Sequence, residues 1–246
     1  MNLAQFRSYL ANIIIVAIVG LFEFLSLAIE GYLPKINLPF GIILGIVFLF
    51  DLWVATQIST KRLVALILVA SIAGYLTQVV GSTSSHIWIY DGKYNSYVFV
   101  AFIFALSAIA MFGMSVRIFG RLLAKLKIPS SRILGPILVI AIFALLIATL
   151  GVHRSNVGAP FWIFYVFLFS FAIYASLNMR LGTLLGLCIA AWIVGNLGEF
   201  LGSQSQLWTF PLNLNYPPIF LVFGSWPLEF VLHYSLSAFL VGESLD

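Results

Sequence analysis

The chain has 246 residues, of which 62% are hydrophobic and only 8% are charged. A soluble domain carries about 25% charged residues, so this composition excludes a soluble enzyme, a disordered protein and a DNA-binding module. The net charge of +4 comes from basic residues in short loops between apolar runs, a distribution that reflects membrane topology. We therefore expect an all-α polytopic membrane protein that contacts membrane lipids and binds no nucleic acid.

Eight segments are apolar over the roughly 20 residues that a helix needs to cross a bilayer. In chain order they are residues 10–29, 38–57, 62–81, 97–118, 132–151, 160–179, 181–201 and 217–241. Most basic residues lie at the amino end and in the loops after the even-numbered spans: Arg7, Lys61, Arg62, Arg117, Arg121, Lys125, Lys127, Arg132 and Arg180. The other loops contain only Lys35, Lys93 and Arg154. The positive-inside rule then predicts that both termini lie in the cytoplasm, and we expect a multi-pass protein of the plasma membrane.

The segment after the fourth span carries Arg117, Arg121 and Lys125 at four-residue spacing, with leucines between them. This spacing predicts a helical extension whose basic face contacts anionic lipid head groups. Binding of a regulatory partner is the alternative interpretation.

The chain also contains an internal duplication. Residues 39–84 align with residues 160–205 without a gap, at a shift of 121 positions, and 14 of the 46 pairs are identical. The most informative identities are Pro39 with Pro160, Gly74 with Gly195, Gly81 with Gly202 and Ser82 with Ser203. The alignment predicts two parallel four-helix repeats, residues 1–118 and 132–246, joined by a basic cytoplasmic linker at residues 119–131. Binding sites in folds of this kind often lie between the repeats.

Several polar side chains fall inside the predicted spans, where a charged group costs about 2.5 to 3.5 kcal/mol on insertion scales. Glu23, Gln78, Glu199, Glu229 and His233 are expected in the outer half of the bilayer, while Asp51 is expected apart from them, nearer the cytoplasm. The sequence predicts that the outer group converges on one pocket, in which Gln78 and Glu199 hold equivalent positions of the two repeats. Polar groups that only satisfy one another within the packing are the alternative.

Aromatic residues accompany these acids. Two loops share a Trp-x-aromatic pattern, and a further tryptophan precedes Glu229 by three residues; the aromatic positions are Trp88, Tyr90, Trp208, Phe210 and Trp226. They are interpreted either as an aromatic belt at the membrane interface or as a wall that stabilises an apolar or cationic ligand. Pro227 is expected to bend the last span and free a backbone carbonyl close to Glu229.

These residue types allow two kinds of chemistry. A carboxylic acid buried in an apolar pocket tends to keep its proton and can donate it to an alkene, and a histidine nearby could return the proton. The same groups could instead relay protons or bind a cation in a transporter. The sequence contains no phosphate loop, dinucleotide fingerprint or paired-histidine metal motif, so neither a cofactor nor a metal is expected.

The stretch from Glu199 to Phe230 resembles the repeat unit of integral-membrane carotenoid cyclases of the lycopene cyclase-domain type. The resemblance rests on an acid, a Trp-x-aromatic motif and a Pro-x-Glu motif, here Glu199, Trp208-Thr-Phe210 and Pro227-Leu-Glu229. The order of these motifs is also similar to that of membrane carotenoid hydratases. It implies that Glu229 donates a proton and that Glu199 stabilises cationic intermediates. The chain differs from that pattern in having Phe230 in place of a second acid.

The first hypothesis is therefore an isoprenoid- or carotenoid-modifying enzyme. Its catalytic residues would be Glu229, Glu199 and His233, and its substrate-binding residues Trp208, Phe210, Trp226, Trp88, Tyr90, Glu23 and Gln78. A proton-coupled transporter of small molecules is one alternative. A non-catalytic subunit that binds lipid or pigment beside other membrane subunits is the other.

Overall fold

The computed structural model describes residues 3–84, 89–90, 98–125, 133–152, 158–209 and 221–245. Over these residues the fold is all-α, as the composition predicts. The helices are α1 (Leu3–Ile29), α2 (Leu38–Ala55), α3 (Thr60–Gln78), α4 (Val98–Phe112), α5 (Gly120–Lys125), α6 (Leu134–Val152), α7 (Ala159–Leu177), α8 (Leu181–Gln204) and α9 (Trp226–Val241). Two short strands, β1 (Ile89–Tyr90) and β2 (Trp208–Thr209), pair antiparallel with Tyr90 opposite Trp208.

Six of the helical segments are long and apolar enough to cross a membrane. They are Gln5–Ile29, Leu38–Ala55, Thr60–Ser82, Val98–Leu123, Ala159–Leu177 and Leu181–Gln204. Large apolar side chains such as Ile46, Leu49 and Ile163 are exposed on their outer faces, which suits contact with lipid. The fifth predicted span holds a shorter apolar helix, Leu134–Ala148, and the eighth contains α9. The protein is thus a helical membrane protein, while eight crossings remain a prediction.

The helix starts follow from local sequence. Asn37 caps α2 by accepting a hydrogen bond from the Phe40 amide at 2.9 Å, and a proline lies in the first turn. Ser59 caps α3 in the same way, accepting from the Arg62 amide at 3.2 Å. Such caps satisfy amides that the first helical turn leaves unpaired. The corresponding helices of the second half, α7 and α8, begin at the positions equivalent to the starts of α2 and α3 at the shift of 121.

Helix packing also shows matching pairs between the two halves of the chain. If α1 to α4 are matched in order with α6 to α9, three packed pairs recur. The pair α3–α4 corresponds to α8–α9, α1–α2 to α6–α7, and α2–α4 to α7–α9. Between the halves, α3 packs on α9 and α8 packs on α4. The core therefore lies where α3, α4, α8 and α9 meet, on the line where the two halves join.

One aromatic stack occupies the centre of this junction. The rings of Phe104 in α4 and Trp226 in α9 lie parallel, 5.0 Å apart with an interplanar angle of 8°. Each ring covers a glycine of its own half: a Cβ on Gly74 would collide with Phe104, and a Cβ on Gly195 would lie 2.7 Å from Cγ of Trp226. The identical glycines of the sequence alignment thus make room for the two rings.

The start of α1 and the chain end after α9 both reach the start of α3, at one end of the bundle. Ser8 in α1 is hydrogen-bonded to Thr60 at 3.0 Å, and Ser59 donates to Glu243 at 3.2 Å. We call this the termini end, and we call the opposite end, where β1 and β2 pair, the strand end. Near the termini end the buried Arg62 guanidinium donates to the Tyr234 carbonyl at 2.7 Å. This bond ties α3 of the first half to α9 of the second.

The predicted helical extension after the fourth span is present. A π-helical turn (Gly113–Phe119) follows α4 and leads directly into α5. Within it, the Arg117 guanidinium donates to the Gln57 carbonyl at 2.9 Å, and contact of the basic face with lipid head groups stays a prediction. A side chain predicted to contact head groups therefore holds the turn between α2 and α3.

Pro227 was expected to bend the last span, and in the structure α9 begins next to this residue. A π-helical turn (Leu221–Ser225) precedes α9, and the proline lies in the first turn of that helix. Proline has no N–H to offer the carbonyl four residues earlier, which belongs to Phe223. The indole N–H of Trp192 donates to that carbonyl at 3.3 Å. The freed carbonyl is thus satisfied by α8.

Candidate functional site

A small cavity of about 40 Å³ lies at the junction of the two halves. Among the residues that line it are five of the predicted site residues, namely Gln78, Tyr90, Glu199, Trp208 and Trp226. They come from α3, β1, α8, β2 and α9. The two strands close the cavity at the strand end, because their pairing sets Tyr90 opposite Trp208 with ring centroids 5.8 Å apart.

Glu199 is the acid of this cavity. The indole N–H of Trp208 donates to its Oε2 at 3.0 Å, and the indole N–H of Trp226 donates to its Oε1 at 3.2 Å. Each carboxyl oxygen therefore accepts one hydrogen bond and keeps acceptor capacity for another partner. The side chain is held from two sides while it faces the cavity.

The equivalent position of the first half holds an amide. Gln78 accepts a short hydrogen bond from the Tyr90 hydroxyl. Tyr90 is in turn buried against Phe99, with ring centroids 5.5 Å apart. This arrangement holds the amide at the rim of the same cavity that Glu199 faces, so one wall is neutral and the other carries an acid.

A second, much larger cavity of about 830 Å³ opens beside the first. It lies among α1, α2, α4 and α8, and its lining is mostly aliphatic and aromatic. Ile103, Ser107, Gly198 and Trp208 line both cavities. The large apolar space therefore adjoins the Glu199 cavity directly. Along α2 it extends from Phe40 to Asp51, which corresponds to about 16 Å of helix.

Two acidic residues border the large cavity. Glu23 of α1 and Asp51 of α2 both line it, and Asp51 is fully buried. The expectation that Asp51 lies apart from the other acids is wrong with respect to Glu23, because antiparallel packing of α1 on α2 brings both onto one wall. The sequence could not reveal this, since it does not show how each helix is rotated about its axis.

Glu229 lies in the packed core beside these cavities. It is only 2% exposed, and its Oε1 accepts a hydrogen bond from the Tyr165 hydroxyl of α7 at 3.3 Å. The Thr77 hydroxyl of α3 faces the same carboxyl group. Of the described residues, those lining the two cavities do not include Glu229 or His233. The acid is therefore enclosed by side chains, one turn of α9 from the Trp226 that holds Glu199.

His233 lies one turn further along α9 and is 3% exposed. Its ring meets Phe104 edge to face at 6.3 Å and Phe230 at 6.4 Å. Its Nε2 is buried without a hydrogen-bond partner among the described residues. The imidazole is thus surrounded by aromatic rings.

The structure brings together most of the predicted site residues but divides them among three environments. Glu199, Gln78, Tyr90, Trp208 and Trp226 share the small cavity, Glu23 lies in the large one, and Glu229 and His233 lie in the core. Trp88 and Phe210 lie outside the described residues.

Sequence reasoning missed Tyr165 and Thr77, polar residues inside apolar spans whose hydroxyl groups face Glu229. Both hydroxyl groups lie inside predicted apolar spans, and this position alone could have marked them as candidates. Among the described residues, no group of three or more His, Cys, Asp and Glu side chains is placed to hold a metal ion.

Comparisons with models of protein families, with curated proteins and with solved structures find no match. The functional interpretation therefore rests on the geometry of the two cavities and the groups that line them.

Proposed function

We propose that this protein is an intramembrane enzyme that binds an isoprenoid-like substrate in the large cavity and uses the carboxyl group of Glu199 to transfer a proton to and from a carbon–carbon double bond. The observation that carries the proposal is the junction of the two cavities, which Trp208 lines on both sides. An apolar chain in the large cavity would reach the Glu199 carboxyl there.

The size and lining of the large cavity support an apolar ligand. Ligand pockets commonly have volumes of about 300 to 1,000 Å³ and are lined by apolar side chains with a few placed polar groups. The cavity of about 830 Å³ has this character, with Phe24, Phe40 and Phe48 among its walls. A flexible hydrocarbon such as an isoprenoid can fill it through van der Waals contacts with these walls, which are the main attraction between apolar groups inside a membrane.

The proposed reaction needs no oxidant, reductant or second substrate. The proton of Glu199 bonds to one carbon of a double bond, and the adjacent carbon becomes a carbocation. The electron pair of a second double bond then closes a ring, or the double bond shifts. The carboxylate finally removes a proton from a carbon next to the cation, so that one proton is donated and one recovered.

The surroundings of Glu199 can stabilise both charged species of this reaction, the carboxylate and the carbocation. The indole N–H groups of Trp208 and Trp226 bind the carboxylate left after proton donation, and hydrogen bonds to an ionised acceptor are stronger than neutral ones. The faces of aromatic rings attract a neighbouring cation through their quadrupole. Trp208 and Trp226 therefore offer their N–H edges to the anion. The ring face of Trp226 is taken up by Phe104, so the aromatic ring beside the substrate cation would be that of Trp208, which borders both cavities.

This proposal changes the roles that the family resemblance implied. There, Glu229 is the proton donor and Glu199 the stabilising acid. Because Glu229 is enclosed, we assign it a structural role instead. The hydrogen bond that it accepts from Tyr165 holds α7 against α9 behind Trp226. His233 would support the Phe104 ring of the central stack in the same way.

The two-repeat organisation is part of the proposal, as is the orientation with both termini in the cytoplasm. The matching helix contacts and the meeting of both described chain ends at one end of the bundle support them. An interface between repeats would then form the acid-bearing cavity, with Gln78 and Glu199 as its non-identical counterparts.

The ligand is tested by mass spectrometry of an organic extract of the gently purified protein. We expect a stoichiometric isoprenoid or polyene in the wild-type protein and its loss from Gly45→Leu. Gly45 lines the cavity, and a Cβ there would meet no atom within 4 Å, so the added side chain fills the cavity without disturbing the packing.

The matched control is Gly182→Leu. Gly182 is also a helical glycine with room for a side chain, since its nearest neighbour would be Leu123 at 4.0 Å, but it does not line the cavity. We expect Gly182→Leu to retain the ligand. Only bulk phospholipid in the wild-type extract, or equal ligand content in both variants, would contradict the proposal. A bound isoprenoid that Glu199→Gln leaves chemically unchanged would indicate a binding subunit.

A further inference from the structure

We infer that Gly198 sets the size of the group that can reach Glu199, so that the site accepts the small end of a substrate chain and rejects bulkier ends. The inference rests on the proposed function, because it takes the carboxyl group of Glu199 to be the proton donor. It adds a residue that determines specificity and the part of the substrate that reacts.

Gly198 lies where the two cavities join. We call this opening the passage, and it is formed by the four residues that line both cavities, Ile103, Ser107, Gly198 and Trp208. Ile103 and Ser107 lie one turn apart on α4, whereas Gly198 belongs to α8, which packs on α4. A group that moves from the large cavity to Glu199 therefore passes between Gly198 and the side chains of α4.

Packing against the described residues does not explain why position 198 is a glycine. Two other glycines of α8 lie under aromatic rings: a Cβ on Gly195 would lie 2.7 Å from Cγ of Trp226, and a Cβ on Gly202 would collide with Trp208. A Cβ on Gly198 would meet no atom within 4 Å. Glycine inside a helix is less favourable than alanine, and the space here would admit a side chain. The missing side chain therefore serves the passage and not the packing of α8.

The equivalent position of the first half carries a side chain. At the shift of 121, Gly198 aligns with Thr77, which is 3% exposed and whose hydroxyl faces the enclosed Glu229. Of the described residues, those lining the two cavities include Gly198 but not Thr77. The space beside this helix position is thus filled in the first half and open in the second, next to the acid that we propose to be catalytic.

The size of the small cavity limits what can enter through the passage. Its volume is about 40 Å³, and a water molecule needs at least about 10 to 15 Å³ of such space, so the cavity holds about three groups of that size. The paired strands β1 and β2 close it at the strand end. A chain therefore enters end-on with a few carbon atoms while the rest stays in the large cavity. The double bond that Glu199 protonates is then the terminal one.

The test offers two chain-matched polyenols to the purified full-length protein in nanodiscs in D2O. The terminal double bond carries two methyl groups in one probe and two ethyl groups in the other. Protonation gives a tertiary carbocation in both, so the probes differ in bulk and not in the type of reaction. The carboxyl group of Glu199 exchanges its proton with the solvent, so turnover is measured as deuterium uptake by mass spectrometry. The selectivity is the kcat/KM of the dimethyl probe divided by that of the diethyl probe.

We expect Gly198→Ala to raise this selectivity about 10- to 200-fold, the range for one additional methylene group in a closely fitting apolar pocket. The new methyl group meets no atom within 4 Å, so a loss of folding would not account for the change. Gly45→Ala is the matched control. It adds the same methyl group at an equally open position that lines only the large cavity, and it should leave the selectivity unchanged.

A second substitution tests the opposite wall of the passage. Ile103→Ala widens the passage and should lower the selectivity. Gly198→Val combined with Ile103→Ala removes as many carbon atoms as it adds, and it should return the selectivity toward the wild-type value. Deuterium uptake with a selectivity that Gly198→Ala leaves unchanged would overturn the inference and leave the proposed function standing. No uptake into either probe, or uptake that survives in Glu199→Gln, would overturn both.

Discussion

The two halves of the chain place similar pairs of packed helices around different polar groups. In the first half, α3 carries Gln78, whose amide accepts from Tyr90. In the second half, α8 carries Glu199 at the equivalent position, and two indole N–H groups hold it. Both side chains line one cavity. The difference teaches that an interface between similar halves can be made asymmetric by changing the side chains on it while the helix packing stays.

The stacked rings of Phe104 and Trp226 show the same kind of asymmetry between the two halves. Phe104 and Trp226 each lie over a glycine of their own half, but only the tryptophan brings an N–H group to the acid. Three residues after each ring come Ser107, which lines both cavities, and Glu229, which is enclosed in the core. The first half thus supplies the open wall and the second half the acid and its donors.

The largest effect on turnover is expected when Glu199 of the second half is replaced by glutamine, the residue at the equivalent position of the first half. Glu199→Gln should lower product formation by about 10²-fold or more, the usual contribution of a positioned acid or base. Turnover in a host that makes the isoprenoid precursor, followed by liquid chromatography and mass spectrometry, measures it. The exchanged variant Gln78→Glu with Glu199→Gln should stay inactive, because Tyr90 does not replace the two indoles. Product at the wild-type level in Glu199→Gln would refute the role of this acid.

The next effect tests whether the two halves pack alike. Gly74→Ala and Gly195→Ala should each lower the free energy of unfolding by about 1 to 3 kcal/mol, because the new methyl group overpacks Phe104 or Trp226. Unfolding in mixed micelles measures the change. Gly45→Ala is the control, since its Cβ meets no atom within 4 Å, and it should be neutral or stabilising. Destabilisation by only one of the two junction substitutions would break the comparison.

A smaller effect is expected from copying the ring of the first half into the second. Trp226→Phe keeps an aromatic ring to stack on Phe104 but removes one of the two donors to Glu199. Turnover should fall about tenfold, which corresponds to the net value of one hydrogen bond of about 1.4 kcal/mol. Trp192→Phe is the control, because its indole binds the Phe223 carbonyl and its loss should lower stability more than turnover. A wild-type rate in Trp226→Phe would mean that Trp208 alone holds the acid.

The smallest effect is expected at the neutral wall of the cavity. Tyr90→Phe removes the hydroxyl that donates to Gln78 and should cost at most about 1.5 kcal/mol of stability. The rate should fall less than in Trp226→Phe, because no proton moves at Gln78. The same unfolding and turnover assays measure both quantities. A loss of rate as large as that of Glu199→Gln would show that the first half takes part in the chemistry as much as the second.

Much of the architecture could be predicted from the sequence. The predicted spans at residues 38–57 and 181–201 compare with helices Leu38–Ala55 and Leu181–Gln204, because apolar length and the caps at helix starts are local properties. The alignment pairs Gly74 with Gly195, and in the structure each of these glycines lies under an aromatic ring. The helical extension through Arg117 was also predictable, whereas its bond to Gln57 was not, since that partner lies sixty residues away in the chain.

The candidate site was predictable only as a set of residue types. Spacing placed Glu199, Glu229 and Glu23 in the same part of the membrane, and the structure separates them into a small cavity, the core and a large cavity. The reason is that burial inside a bundle depends on how each helix is rotated and which neighbour it meets, whereas depth depends only on distance along the chain. Asp51 illustrates this, because it lies on the wall that Glu23 also lines.

The sequence by itself determined that this is an all-α membrane protein with a few acids in its apolar spans, and it predicted two related halves, because hydrophobicity, helix caps and internal similarity are properties of the chain itself. Tertiary structure alone decided that Glu199 is held by two tryptophans at a cavity, that Glu229 is enclosed beside Tyr165, and that Asp51 is buried beside a space large enough for a ligand. Those three outcomes follow from contacts between helices far apart in the chain, whose free energies depend on the packing of side chains and not on local pattern.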